Sequence, residues 1–509
     1  MNKSFGYDNT NHTFRLARNE IGDFGLHLSL IRSFSWGNNF PPESPFFPGR
    51  PLPYHYYFDF IVGLLERSGI PINYAFNGLS AMFFTLLLFL LYKLPQRIFF
   101  KSKMLGVISV LLFVFHSGFT FVDFLKQYGF SFYSFWHLPD YIDKGPFDGS
   151  LISIFFTLNV YLNQRHLVAG LVLSFGIFYF LLPYFLDKNK PSFKKILLCG
   201  FILGILSGIH TLIFFITILM LFLMMLLFRK FYFLIPLFFP AFALFSIHVK
   251  DIINQNLQHL YFNPGFLSEK PITLQSFFIF WFVNTGIAFF IIPLSVFFSN
   301  KKQKILFVAF LPLFIIGNIF QLSFRIEHNH SIFNYFFIFG NFYIAFFLVR
   351  FFSNGVKRKI VLLIFLFFLT ASGVIDLMAV KNDFQLSLPD APANKFMLWI
   401  KNDTKKDSIF LSKQEILDPI TFSGRKNYLG HTYYLSVMGY NFQERQKQAA
   451  SYFEANSTDK LISMRKAGIN YIVIPKGHVV DFNYNINQSF FDKNLQKVYQ
   501  DKSVSVYKL

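Results

Sequence analysis

Apolar residues run for about 20 positions at a time through the middle of this chain, the length at which a helix crosses the hydrocarbon layer of a bilayer. Such runs lie at 74–93, 104–122, 166–186, 195–209, 210–228, 231–248, 274–298, 304–321, 333–352 and 359–377. Each predicts a membrane-spanning helix. The stretch from 195 to 228 is too long for one crossing at ~1.5 Å per residue. Gly200, Gly204 and Gly208 lead to His210 within it, and a break there predicts a tight pair of short helices. From about residue 384 the pattern becomes that of a soluble domain. Helices are expected over 392–403, 441–455 and 458–467, and short strands over 408–411, 470–474 and 503–507, with 497–499 and the last strand forming a hairpin. Alternating helix and strand favours a partly parallel sheet.

The loops between the apolar runs set an orientation. Alternate loops carry Lys93/Arg97/Lys101/Lys103, Lys188/Lys190/Lys194/Lys195, Arg229/Lys230, Lys301/Lys302/Lys304 and Arg350/Lys357/Arg358/Lys359. Short basic loops mark the cytoplasmic side. Segments 1–73, 123–165, 249–273, 322–332 and 378–509 are then external. Of the fifteen Asp and Glu residues before Val380, thirteen fall outside by this reading, Asp376 falls within the last span and Asp187 alone falls inside. No span precedes residues 1–73, so the expectation is either an insertion with the amino end outside or, as the favoured reading, an original first span missing before about Phe14.

With 53% hydrophobic and 15% charged residues, the composition is that of a multi-pass membrane protein. The formal charge of +20 is spread over short loops, so it acts as an orientation signal and no nucleic-acid partner is implied. A single cysteine, Cys199, excludes an internal disulfide or a cysteine-based metal site. The expected fold is a polytopic α-helical membrane protein with external amphipathic or re-entrant helices and a small C-terminal α/β extracytoplasmic domain. Its parts are an external acidic and aromatic first loop (1–73), a bundle of about ten spans (74–380) and the α/β domain (381–509).

Three external stretches carry candidate chemistry. In the first, apolar residues recur at helical spacing around Asp23, His27 and Arg32, and Asp23 and His27, four apart, share a face. A proline-stiffened loop with Glu43 follows along the surface, then Pro53-Tyr54-His55-Tyr56-Tyr57-Phe58-Asp59. An interfacial aromatic belt with an amphipathic helix accounts for part of this pattern, but the clustered acids and histidines favour a site. In the second stretch, Gly145-Pro146-Phe147-Asp148-Gly149 leads to Asn159, Asn163, Gln164, Arg165 and His166, with amides at four-residue spacing. That spacing suits a re-entrant helix or interhelical hydrogen bonding. The third holds Arg325, Glu327, His328 and His330. Two histidines beside a glutamate are able to hold a metal, although neutral surface histidines are commoner, and no cofactor is implied. His210, at the helix break, either meets a substrate or caps freed carbonyls.

These motifs resemble those of the C-type, multi-pass glycosyltransferases that use polyprenyl-phosphate-linked sugars. The likeness is closest to an uncharacterised prokaryotic branch with a tyrosine-rich first external loop. It covers the whole chain and is carried by Asp23-Phe24-Gly25-Leu26-His27, Pro53-Tyr54-His55-Tyr56-Tyr57 and Gly145-Pro146-Phe147-Asp148-Gly149. The resemblance implies a prokaryotic cytoplasmic membrane, a polyprenyl-phosphate-sugar donor, membrane lipid, and a glycan, lipid or protein acceptor. It also implies a catalytic carboxylate early in the first external loop, to which Asp23 corresponds, and a second acid, for which Glu43 and Asp59 both qualify.

Such a transfer needs a base for the acceptor hydroxyl and cations for the leaving phosphate. Arg32, Arg165 and Arg325, with His166 and His328, are the external cations. Arg425, in a glycine- and aromatic-rich segment from 422 to 431, either grips the substrate or belongs to an ordinary surface loop. Two other functions stay open: a transporter or flippase of lipid-linked glycans, and a non-enzymatic assembly protein.

Overall fold

A computed structural model describes residues 1–18, 21–142, 158–187, 190–247, 260–476 and 484–509. The chain begins with strands β1 (Phe5–Asp8) and β2 (Thr13–Ala17) and helices α1 (Ile21–Ser35) and α2 (Tyr57–Arg67). The helices α3 (Ile72–Ile98), α4 (Lys103–Val114), α5 (Thr120–Tyr128) and α6 (Phe132–Trp136) follow. Two compact units are built from it, one of Met1 with most of residues 80–384, the other of residues 2–79 and 385–509. The candidate residue Asp148, and most of the expected re-entrant stretch, lie outside the described residues.

This is a multi-pass helical membrane protein. Among the described residues, six helices are long and apolar enough to cross a bilayer: Ile72–Ile98, Arg165–Leu186, Thr211–Phe228, Lys301–Ile319, Ile326–Phe352 and Val356–Asn382. The expected pair at 195–228 is present as Phe193–Ile209 and Thr211–Phe228. His210 caps the second helix, its Nδ1 accepting from the Ile213 amide at 3.4 Å, so this nitrogen serves a helix start.

Two expected spans are interrupted. The run at 104–122 leaves helical geometry at Phe115, where α4 ends. The Phe119 amide bonds to the Val283 carbonyl at 3.1 Å instead of continuing the helix. The run at 274–298 forms Leu274–Thr285 and Ala288–Phe297, bent by 90°. Gly286 is the hinge, with φ +58, and a Cβ there would lie 2.9 Å from Ser117 Oγ and 3.0 Å from the Gly118 nitrogen.

In the membrane unit β3 (Tyr261–Phe262) and β4 (Phe320–Gln321) form a short antiparallel pair. The other unit joins the start of the chain to its end. β1 and β2 form an antiparallel hairpin, and β2 pairs antiparallel with β5 (Gln385–Pro389), Phe14 opposite Leu388. β6 (Ile409–Leu411), β7 (Lys426–Asn427), β8 (Tyr471–Pro475), β9 (Gln496–Gln500) and β10 (Val504–Lys508) make a mixed sheet in the order β7-β6-β8-β10-β9. β6 is parallel to β7 and β8, while β10 is antiparallel to β8 and β9. The partly parallel sheet and the terminal hairpin are therefore as the sequence pattern indicates.

Helix α1 is not an amphipathic surface helix. Residues 24–35 are all buried, and Leu26, Leu30 and Phe34 enter one core with Leu411, Leu435 and Ile472. The proline-containing loop after it is also packed inward: Phe46 and Phe47 join the same core, with ring centroids 4.8 and 4.9 Å from Tyr434 and Tyr440. α2 crosses α1 closely enough that a Cβ on Gly63 would lie 2.8 Å from Phe34 Cβ. On another side, Ser29 Oγ shares a hydrogen bond of 2.8 Å with Thr421 Oγ1. Thr421 belongs to the short helix Pro419–Phe422, whose cap is the buried Asp418. Asp418 accepts from the Ile420 amide at 2.9 Å and from Asn427 Nδ2 at 3.0 Å.

Burial lifts the Asp418 carboxyl to about 7 from an ordinary 3.8, against the opposing pull of Asn427. The folded chain keeps this proton up to about 7 while the unfolded chain releases it near 3.8. The stability it contributes is therefore complete below the lower value and lost as pH rises through the higher one. Purified protein should unfold at a higher temperature at about pH 5 than at about pH 8, and Asp418→Asn should shrink that difference. Equal pH dependence in the two proteins would assign the effect to other groups.

Candidate functional site

The candidate site in the terminal unit starts at the first turn of α1. Asp23 is exposed there, where the helix dipole favours a negative charge. Among the described residues it makes no hydrogen bond or ion pair. Two phenols lie close to it. Burial pushes the Tyr434 hydroxyl well above its usual range, with the Asp23 charge adding to the effect. Tyr54 is shifted the same way by burial and by the carboxylates of Asp59 and Asp23.

Tyr434 reaches this place because α1 carries glycine where it does. The Tyr434 hydroxyl donates to the Gly22 carbonyl at 2.7 Å. A Cβ on Gly25 would collide with that hydroxyl and lie 2.5 Å from the Ile416 carbonyl. Asp23-Phe24-Gly25 thus pairs an exposed acid with the residue that lets a distant tyrosine approach it. The sequence reading missed Tyr434, which stands 412 positions from its hydrogen-bond partner.

One turn along, His27 is buried, with its Nδ1 2.9 and 3.0 Å from the two carboxylate oxygens of Asp59. Asp59 is itself buried in the first turn of α2. With the Nδ1 proton on the carboxylate, Nε2 is the nitrogen left for other partners. Asp59 therefore stands behind His27 and holds its ring, instead of facing solvent as Asp23 does. The His27 and Tyr54 ring centroids are 6.4 Å apart, and Tyr54 stacks on His55 at 4.1 Å. The tyrosine-rich motif is thus brought together with His27 and Asp59.

The remaining candidates of this unit are bound up in structure. Glu43 pairs with Lys426 and accepts from the Gly49 amide at 2.5 Å, contacts that close its loop. Arg32 is buried, with Nε 3.1 Å from Glu66 Oε1 and Nη2 3.1 Å from Asp390 Oδ2. Its guanidinium lies 3.3 Å above the Trp36 ring. Arg425 is buried in a segment where residues 421–430 are all buried, so neither a surface loop nor a gripping loop describes it. Its donors go to Thr404 Oγ1 at 2.9 Å and to the carbonyls of Lys401, Thr404 and Trp36 at 2.8, 3.0 and 3.1 Å.

In the membrane unit, Arg165 is buried at the start of the helix Arg165–Leu186, with Nη1 3.0 Å from Met1 Sδ. His166 and His210 are both buried and stack at 5.2 Å. Arg325 and Glu327 form a loose pair at 3.9 Å. His328 and His330 turn to different partners, Ser323 Oγ at 2.9 Å and Gln164 Nε2 at 3.2 Å.

Removing Arg32 would leave Glu66 and Asp390 as buried acids without their shared cation. Arg32→Ala is expected to destabilise the protein by about 3–5 kcal/mol, the usual penalty for breaking a buried ion pair. Thermal unfolding in detergent measures this. Loss of activity at unchanged unfolding temperature would instead assign Arg32 to the substrate.

A comparison with curated proteins found no match. Among solved structures, the crystal structure of ArnT from Cupriavidus metallidurans in the apo state is similar, with a TM-score of 0.49 and 10% sequence identity. The alignment covers 95% of this chain and 92% of that one. Residues 19–128 match a family described as uncharacterized membrane protein (DUF2298), and this matched stretch contains Asp23, His27, Tyr54, His55 and Asp59.

Proposed function

We propose that this protein is a membrane glycosyltransferase that moves a sugar from a polyprenyl-phosphate-linked donor to an acceptor at the extracytoplasmic face of a prokaryotic cytoplasmic membrane. The observation that carries the reading is Asp23, an exposed carboxylate at the head of an otherwise buried helix. It lies beside Tyr54 and Tyr434 and one turn from the His27–Asp59 pair. The basic short loops support the sidedness, and a site outside the cytoplasm calls for a lipid-linked donor.

In the reaction, an acceptor hydroxyl oxygen bonds to the anomeric carbon as the bond from that carbon to the phosphate oxygen breaks. The electron pair leaves with the phosphate, and Asp23 takes the hydroxyl proton. Tyr54, held protonated by burial, supplies a hydroxyl donor to sugar or acceptor oxygens, while Tyr434, donating to the Gly22 carbonyl, fixes the start of α1 beside Asp23. His27 is kept in one orientation by Asp59. Arg32 and Arg425 are committed to internal partners and are not assigned to the phosphate.

A second reading, a transporter of lipid-linked glycans, draws on Asp376. It is buried in the helix Val356–Asn382, with Oδ2 3.2 Å from His116 Nε2. An ionisable residue within a spanning helix is a functional group by default, and broken helices are a transporter feature.

Asp23→Asn should lower sugar transfer from a labelled polyprenyl-phosphate sugar by ~10²–10⁴-fold, the usual effect of losing a proton acceptor. Its unfolding temperature should be unchanged, since Asp23 is exposed. Near-normal transfer by this variant would exclude Asp23 as the base. Sugar movement across vesicles without any bond cleavage, abolished by Asp376→Asn, would favour the transporter.

A further inference from the structure

The membrane unit exposes an aromatic tip that none of the chemistry above uses. Phe130 is 96% exposed, Phe132 and Tyr133 are each 73% exposed and Trp136 is 45% exposed. Aromatic side chains bury roughly 150–250 Å² each. Four within seven residues therefore make an apolar patch of several hundred Å², a size that marks an interaction surface.

The tip is the outer side of a packed element and not a frayed end. On its inner side Phe121 and Phe124 of α5 form a small core with Leu138, Ile375 and Ala379. Phe135 closes onto Phe124 at 6.3 Å, and Phe132 stacks against Trp136 at 6.1 Å. The segment is also tied to the end of a spanning helix. Asn382 Nδ2 donates to the carbonyls of Trp136 and Leu138 at 2.9 and 3.0 Å. Lys381 Nζ lies 3.6 Å from the Trp136 ring and donates to its carbonyl at 3.3 Å.

That helix, Val356–Asn382, exposes Leu363, Ile364, Phe367 and Phe368 in its first half. It then changes to Lys381, Asn382 and Asp383. Such a change from apolar to polar side chains marks the edge of the hydrocarbon. Phe121, itself buried, packs against the exposed rings of Phe367 and Phe368 at 6.0 and 5.9 Å, so α5 lies against the spanning helix beside its exposed apolar side chains. The level at which α6 is fastened is thus the level at which the helix leaves the lipid. Trp and Tyr, each with an apolar body and a polar end, belong at that depth.

From this geometry we infer that residues 120–136 are an in-plane membrane anchor, which inserts Phe130, Phe132, Tyr133 and Trp136 into the boundary between headgroups and acyl chains. The occupant of the patch is the bilayer itself, because the segment that carries it is fastened to the end of a spanning helix and packs against that helix's exposed apolar rings. Lys126, paired with Asp123 at 3.4 Å, and Lys381 flank the rings as a polar rim. The anchor fixes the depth of the chain that follows α4, whatever reaction the protein performs.

The test uses the full-length protein with Cys199→Ser as background. Phe132→Cys, and separately Lys405→Cys at an exposed position of the terminal unit, are labelled with a bimane fluorophore. Each protein is reconstituted into phosphatidylcholine vesicles. At position 132 the emission should shift to the blue, quench more with nitroxides placed near the headgroup than with deep ones, and resist iodide. Lys405→Cys provides the aqueous reference. Equal iodide quenching at both positions would overturn the anchor. So would protection of position 132 from both iodide and lipid nitroxides, which would make the patch a contact with a second copy or another protein. Tyr133→Cys repeats the measurement should the first variant fold poorly.

Discussion

A helix covered on every side must find partners inside the protein for each polar group it carries, since a buried polar group without a hydrogen bond is costly. Helix α1 is in that position, and it carries His27, Ser29, Arg32, Ser33 and Ser35. Their partners decide which elements gather around it. Asp59 and Glu66 draw in α2, Asp390 draws in the end of β5, and Thr421 draws in the short helix before β7. Each contact pairs a side chain of α1 with another element and fixes that element's position. The terminal unit is organised around this one requirement.

Asp23 stands out because it escapes the requirement. It lies on the same helix, one turn from His27, yet remains at the surface beside two tyrosines whose hydroxyls are held protonated. A rigid buried helix is a good platform for a reacting group, because neighbours that cannot move hold the geometry without further ordering on binding. The same argument separates the arginines. Arg32 and Arg425 bond to carboxylates and carbonyls within the unit and work as cross-links.

Much of the membrane part is legible in the sequence because a span obeys a local rule, enough consecutive apolar residues to cross the bilayer. The break at His210 follows from local length in the same way. The end of α4 does not: it depends on Gly373, nearly 260 positions later, where a Cβ would lie 2.5 Å from the His116 nitrogen. The burial of α1 was hidden for a similar reason. Its apolar residues fit a surface helix until the C-terminal strands and loops, invisible to any short window, cover its remaining sides. Asp23, His27 and Tyr54 can be singled out from the sequence because they lie close together in it. Tyr434 was not, because only the fold brings it to Gly22.

The pairing of β2 with β5 and of Arg32 with Asp390 has a consequence for how the protein is made. Synthesis runs from the amino end, so α1 is made before the β5 strand and the segments after it that enclose it, with the spanning helices in between. Throughout the insertion of the intervening helices, a guanidinium and an apolar helix await an enclosure that does not yet exist. A ribosome that stops before β5 therefore leaves more than a missing domain behind. It releases a membrane-embedded chain whose first helix is sticky and uncovered, the kind of product that quality-control proteases and chaperones are built to intercept.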